Sequence, residues 1–213
     1  MPPKQRFLTE DIIDAAFAIV RREGWDGLSA RAIAKALNSS TRPIYSYLAS
    51  MKNLEEEVVK KALDLFDTYL TSETTGDKWL DQAIGYVKFA IVEKMLFRCI
   101  NDEKHASLQR KNTRKMWEIL RAELSDYPPF QDMPQTDVDR IRVMRWFFVH
   151  GIAALINNGW FTHQEIDSEI VLKEMNVKLP DVLKMANHVI YEGLKDKKAL
   201  KKLGIVAYER QKS

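Results

Sequence analysis

Leu28–Leu54 reads LSARAIAKALNSSTRPIYSYLASMKNL, two short amphipathic segments around a tight polar turn. Ser29 is placed to cap a helix in which Ala30, Ile33, Ala34 and Leu37 face inward while Arg31 and Lys35 lie outward. Asn38-Ser39 ends it, since Asn enters a left-handed turn at low cost. Ser40 then caps a very short helix of Thr41 to Tyr47. Pro43 is compatible with that helix, because at the third helical position its missing N–H is one the first turn leaves unpaired. Ile44 and Leu48 are four apart and pack inward, which leaves Thr41, Arg42, Ser46 and Tyr47 looking outward. This is the spacing of a helix-turn-helix.

Working outward, Thr9 is positioned to cap a preceding helix, with Glu10 and Asp11 in its first turn and Leu8 able to staple onto Ile13. Ile12, Ile13, Ala16, Phe17, Ile19 and Val20 recur at helical spacing, Gly24 supplies the stop, and Trp25 is expected to plug a small core. Downstream, Ser50 or Met51 opens a long helix to about Leu70. Its stripe of Leu54, Val58, Ala62, Leu65 and Tyr69 is continuous, and its outer face carries Glu55 to Glu57, Lys60 and Lys61. Thr71 to Gly76 marks a boundary, followed by apolar helical patterns at about 78–97, 104–124, 136–159, 163–175 and 180–200. Tyr127-Pro128-Pro129-Phe130 and Met133-Pro134 interrupt them. The pattern predicts an all-α fold: a helix-turn-helix domain over 1–52, a linking helix at about 51–70, and a larger helical domain over 71–213.

Composition narrows the class. At 213 residues, 46% hydrophobic and 30% charged, this is the make-up of a soluble globular protein, expected in the cytoplasm and with no membrane partner. No run of about 18 apolar residues occurs, and Met1-Pro2-Pro3-Lys4 leads into charged sequence rather than a signal peptide. The lone Cys99, in Leu96-Phe97-Arg98-Cys99-Ile100, reads as a buried structural thiol. Net charge is +3, and residues 1–52 hold eight Lys and Arg against five Asp and Glu, so the whole excess lies on the helix-turn-helix segment, where phosphate attraction would use it. G-x-S-x-G, phosphate-loop, H-E-x-x-H and C-x-x-C motifs are absent, and Thr162-His163-Gln164-Glu165 reads as a capping box rather than a metal site. The expectation is a protein without enzymatic activity, cofactor or metal.

Thr9 to about Leu70 resembles the DNA-binding domain of the TetR family of bacterial transcriptional regulators. The resemblance rests on Leu28 to Ala34, on Ser40, on Ile44-Tyr45, and on Ser50 with Leu54. It implies a homodimer, usually a repressor, whose two reading helices enter successive major grooves of a palindromic operator. It also implies a helical second domain that binds a small-molecule effector, and release of DNA when the effector changes the separation of the readers. By position, the DNA-binding set is Arg31, Ser40, Thr41, Arg42, Pro43, Tyr45, Ser46, Tyr47 and Lys52. Arg31 meets phosphate or a base, Tyr45 a phosphate, and Arg42 is long enough for a guanine edge. The family usually has Lys directly after the position of Ser50, whereas this chain has Met51 and then Lys52, which projects about 100° further round the helix.

In the second domain Ile141, Met144, Arg145, Phe148, Ile152, Leu155 and Ile156 recur with helical period, and His150-Gly151-Ile152-Ala153-Ala154 puts small residues at their centre. Similarity to the family makes 136–160 and 180–198 the expected dimer helices. Tyr86, Phe89, Met95, Phe97, Met116, Trp117, Met144, Trp146, Phe147 and His150 are the candidate pocket residues, suited to an apolar or aromatic effector and equally to ordinary core. Met51 motivates an alternative: a helical interaction protein on the same scaffold that no longer recognises an operator and binds a protein partner.

Overall fold

The structure, a computed structural model, describes residues 8–47, 50–166 and 169–202. The chain is mostly helical, with α1 Thr9–Glu23, α2 Ala30–Ala36, α3 Thr41–Tyr47, α4 Met51–Leu70, α5 Lys78–Val92, α6 Lys94–Ile100, α7 Ala106–Glu123, α8 Gln135–Asn157, α9 Leu179–Lys195 and α10 Lys197–Lys202. It is not all-α. Between α8 and α9 lies a three-stranded antiparallel sheet, β1 His163–Ile166, β2 Glu169–Leu172 and β3 Val177–Lys178, in the order β1-β2-β3. No helix among the described residues is long and apolar enough to cross a membrane.

The sheet replaces the helix expected over 163–175. Ile170, Val171 and Leu172 are all buried, and two of the three are β-branched, which favours a pleated surface over a helical turn. Asn176, at φ 50°, makes the left-handed turn that brings Val177 back beside Leu172. Thr162 caps no helix. Its backbone N–H donates to the Glu174 carboxylate at 2.8 Å and its hydroxyl donates to the same oxygen, closing the sheet's ends on each other.

The chain divides into two compact units, Met1–Tyr69 with Phe89–Glu118, and Leu70–Lys88 with Ile119–Ser213. The division falls within α5 and α7.

In the first unit α1 is held by Ile12, Ile13, Ala16, Ile19 and Val20, the expected stripe except for Phe17, which is half-buried. Its cap sits one residue earlier than Thr9: the backbone N–H of Leu8 donates to the Asp11 carboxylate at 2.7 Å, and Leu8, 69% exposed, makes no staple over Ile13. Gly24 stops α1 at φ 75°, a conformation that favours glycine, and a Cβ there would only displace the flexible end of Met95. Trp25 is only half-buried. Its ring meets His105 at 5.1 Å, with Lys104 Nζ 4.6 Å from the ring centroid.

The second unit is built on Trp79, Leu124, Phe130, Val138, Ile141 and Leu194. Arg145, 9% exposed, enters this core with its guanidinium 3.4 Å from the Trp79 ring centroid and donates to the Trp79 carbonyl and to Gln82 Oε1. Burial pushes its pKa down to about 9. Cation–π stacking and two acceptors are what make an Arg tolerable there.

Candidate functional site

Two surfaces carry chemistry, one in each unit. In the first, Ser29 Oγ accepts the Ala32 N–H at 3.1 Å and starts α2. The Ser39 N–H donates to the Ala34 carbonyl at 2.8 Å across Asn38, which sits at φ 51°, so the polar turn is closed by the left-handed residue the sequence offered. Ile33, Ala34 and Ile44 are buried, and the outward set follows from their phase: Arg31, Ser40, Arg42 and Tyr45 are exposed and Thr41 is half-buried. The side chains of Pro43, Ser46 and Tyr47, and all of Leu48, lie outside the described residues. Ser50 caps α4, its Oγ accepting the Asn53 N–H at 3.2 Å, while Leu54 is fully buried. Lys52 is exposed and Met51 half-buried in that first turn.

Helix α1, which precedes this segment, is held by ion pairs that periodicity did not reveal. Arg21 on α1 grips Glu93 with Nε to Oε2 at 2.7 Å and Nη2 to Oε1, and the Tyr69 hydroxyl adds a bond to Oε1 at 3.3 Å. Glu93 is 2% exposed and stands at the N-cap position of α6 without a side-chain capping bond, and its carboxylate raises the Arg21 pKa further. Lys61 on α4 holds Glu10 at 2.7 Å and also Asp14, both on α1, and these hydrogen bonds raise its pKa. So α1 is tied to α4 by one Lys and to α6 by one Arg. Cys99 is buried, and burial pushes its thiol up to about 12, against any thiolate chemistry at neutral pH.

The second surface lies along α8 and α9. The α8 residues separate into two stripes: Val138, Ile141, Arg145, Val149, Ala153 and Ile156 are buried, whereas Met144, Phe147, Phe148 and Leu155 are exposed. A Cβ added at Gly151, within the second stripe, would meet nothing within 4 Å. On α9, which packs against α8, Met185 and Val189 are 68% and 62% exposed. Exposed large apolar side chains in such number on two neighbouring helices are the kind that a partner covers.

The ten candidate pocket residues do not act as one group. Phe89, Met95, Phe97, Met116 and Trp117 belong to the first unit, where Phe89, Phe97 and Met116 are core. Met144, Trp146 and Phe147 are exposed in the second, where the Tyr86 hydroxyl and His150 Nδ1 are hydrogen-bonded at 2.7 Å. Burial lowers the His150 pKa and raises that of Tyr86. A cavity of about 280 Å³ does open in the second unit, lined by other residues: Asp77, Trp79, Tyr127, Pro129 and Phe130 with Lys184, Asn187, His188, Tyr191 and Glu192 of α9. Its aromatic signal was dispersed in sequence between 79 and 191, so no local motif could have assembled it. Among the described residues, no three His, Cys, Asp or Glu side chains converge as a metal site would require.

Neither a model of any known protein family nor any curated protein sequence matches the chain. Among solved structures it is similar to a protein with unknown function from Rhodococcus sp. RHA1, with a TM-score of 0.67 and 18% identity over 91% of this chain and 98% of that one. At that identity the likeness is one of fold.

Proposed function

We propose that the chain is a sequence-specific DNA-binding transcriptional regulator of the TetR type, a repressor that binds a palindromic operator as a homodimer and responds to a small-molecule effector. One observation carries this reading. Two short helices meet at a left-handed Asn38 with Ile33 and Ile44 buried beneath them, and their outward positions hold Arg31, Ser40, Thr41, Arg42 and Tyr45. Guanidinium, hydroxyl and phenol are the groups that meet phosphates and base edges. The local charge excess of 1–52 and the exposed Lys52 add to it, and the exposed apolar side chains of α8 and α9 support a two-fold dimer.

The test is a selection from random duplexes followed by a salt titration. An inverted repeat should emerge with half-sites about one helical turn, roughly 34–36 Å, apart. Arg42→Ala should lose about 1–3 kcal/mol of discrimination at one base position in each half-site. Lys52→Ala should weaken all duplexes alike and flatten the salt slope by about 1. If the selection enriches no palindrome while a pull-down returns one stoichiometric protein, the chain is an interaction protein instead.

A further inference from the structure

We propose that the outward face of α7 binds the phosphate backbone of duplex nucleic acid without regard to sequence, as a second contact separate from the outward face of α2 and α3. This contact does not depend on the first surface reading an operator.

The distribution of charge in the first unit points to α7. The excess of 1–52 is offset by Glu55, Glu56, Glu57, Asp64 and Asp67 of α4, so residues 1–69 hold ten Lys and Arg against ten Asp and Glu. Residues 89–118 hold seven against four, and the net positive charge of the unit lies there. Four of the seven are Arg110, Lys111, Arg114 and Lys115, all exposed and with no acid among them. Glu118, one turn beyond Arg114, is the first acid after them.

Packing fixes which way these side chains look. Met116 is buried and Asn112 is hydrogen-bonded to Asp67 of α4, which turns that side of α7 inward. At about 100° per residue, the four cations share an arc of about 140° on the other side. Lys115 also acts on Asp67, lowering its pKa, but Arg110, Lys111 and Arg114 form no ion pair among the described residues. The exposed Ser107 adds a hydroxyl in the middle of the arc. Guanidinium forks and a hydroxyl are phosphate donors.

The spacing suits a polyanion. From Arg110 to Lys115 the helix rises about 7.5 Å, roughly one charge per 2 Å, and a duplex carries about one phosphate per 1.7 Å. An anionic lipid surface takes up an apolar or aromatic helix face beside the basic one. Here Met116 is spent on the core, and no exposed residue of α7 is aromatic. Lys104, just before α7, meets Glu55 at 3.4 Å, whereas Asn112 meets Asp67, so α7 runs along α4 away from the end that carries Lys52. Twelve residues of α4 span about 18 Å. That separation makes the face a site for a second stretch of duplex instead of an extension of the first contact.

The experiment is a fluorescence anisotropy titration of the full chain with a random-sequence duplex of about 20 base pairs over a range of salt. Arg110→Gln/Lys111→Gln/Arg114→Gln, at exposed positions, should weaken binding at least about tenfold and flatten the salt slope by about 2 to 3. Arg31→Ala/Arg42→Ala should retain α7-dependent binding. In a bridging assay, bead-bound duplex should capture a second, labelled duplex through wild type and not through the triple variant. An unchanged salt slope in the triple variant, or bridging that survives in it, would overturn the proposal. So would binding to vesicles containing phosphatidylserine that the triple variant loses while it keeps duplex binding, since the partner would then be a membrane. Random-duplex binding that needs α7 in a chain that selects no palindrome would support this face and count against the operator reading alone.

Discussion

The outward surfaces of α2 and α3 and of α8 and α9 are opposites. Each pair of helices buries one apolar stripe, but α2 and α3 turn Arg31, Ser40, Arg42 and Tyr45 outward, whereas α8 and α9 turn out Met144, Phe147, Phe148, Met185 and Val189. Water solvates the first set and is excluded with profit from the second. The means of anchoring differ as well: the first unit is strapped by Arg21–Glu93 and by Lys61 with Glu10 and Asp14, while the buried Arg145 of the second is held on an indole ring. On the proposed reading, the polar surface tolerates separation from its partner and the apolar one does not. A protein that must release DNA while staying assembled needs that asymmetry.

The sharpest way to break the contrast is Phe147→Asp, at a position 63% exposed on α8. If the face is a subunit interface, the charge should cost about 3 kcal/mol or more of dimerisation, roughly 100-fold or more in the dimer constant, and leave protomer unfolding nearly unchanged. Light scattering behind size exclusion checks it: wild type should run at about twice 24.7 kDa and the variant at that mass. A wild-type monomer at micromolar concentration would end the interface assignment.

Arg21→Ala probes the strap and should act on stability instead of assembly. Arg21 is half-exposed, so the ion pair itself contributes modestly after solvent screening. Most of the cost is the Glu93 carboxylate, left buried with only the Tyr69 hydroxyl, and about 2 kcal/mol is expected in urea unfolding. An unchanged midpoint would mean that the strap holds nothing.

The smallest effect concerns Asp67 on α4, whose pKa burial raises from 3.8 to about 6, against the pull of an Asn112 hydrogen bond. The native state binds this proton more tightly than the unfolded state, so its contribution to stability falls as pH rises through about 4 to 6. Asp67→Asn should therefore gain about 1–2 kcal/mol at pH 7, with the full linkage reduced for partial solvation, and nothing below about pH 4. A gain independent of pH would show that the charge is not its source.

The local elements were legible because period and punctuation agree in them. Ser29, Asn38 and Gly24 sit where caps and turns belong, and most of the stripes of α1, α2 and α4 is buried, with Phe17, Leu37, Leu65 and Tyr69 half-buried. What escaped depends on distant partners. The helix expected over 78–97 breaks at Glu93, whose partner Arg21 is 72 positions away. That expected over 180–200 breaks at Asp196, whose carboxylate caps Ala199 N–H at 3.0 Å. The spacing over 163–175 predicts a helix where the strands lie, because a short apolar run does not distinguish the two. Periodicity also merged the two stripes of α8, since Ile141 and Arg145 turn inward and Met144 and Phe148 outward on one helix. For the outward positions of α2 and α3, residue type and phase placed the exposed side chains. For the cavity they were not enough, because Trp79, Tyr127 and Tyr191 meet only through the tertiary fold.

The interruption at Glu93 has a bearing on the order in which the chain acquires its shape. Phe97 N–H still donates to the Glu93 carbonyl and Glu93 N–H to that of Phe89, both at 2.8 Å, so local hydrogen bonding alone favours running α5 straight into α6. Arg21 reaches the residue at which the helix is interrupted, a contact whose closure entropy grows with the long loop it spans. A continuous helix is therefore expected of residues 78–100 as an isolated peptide, with the interruption at Glu93 forming once α1 docks. Amide exchange at the interruption would then report the docking of α1 rather than the fraying of α5.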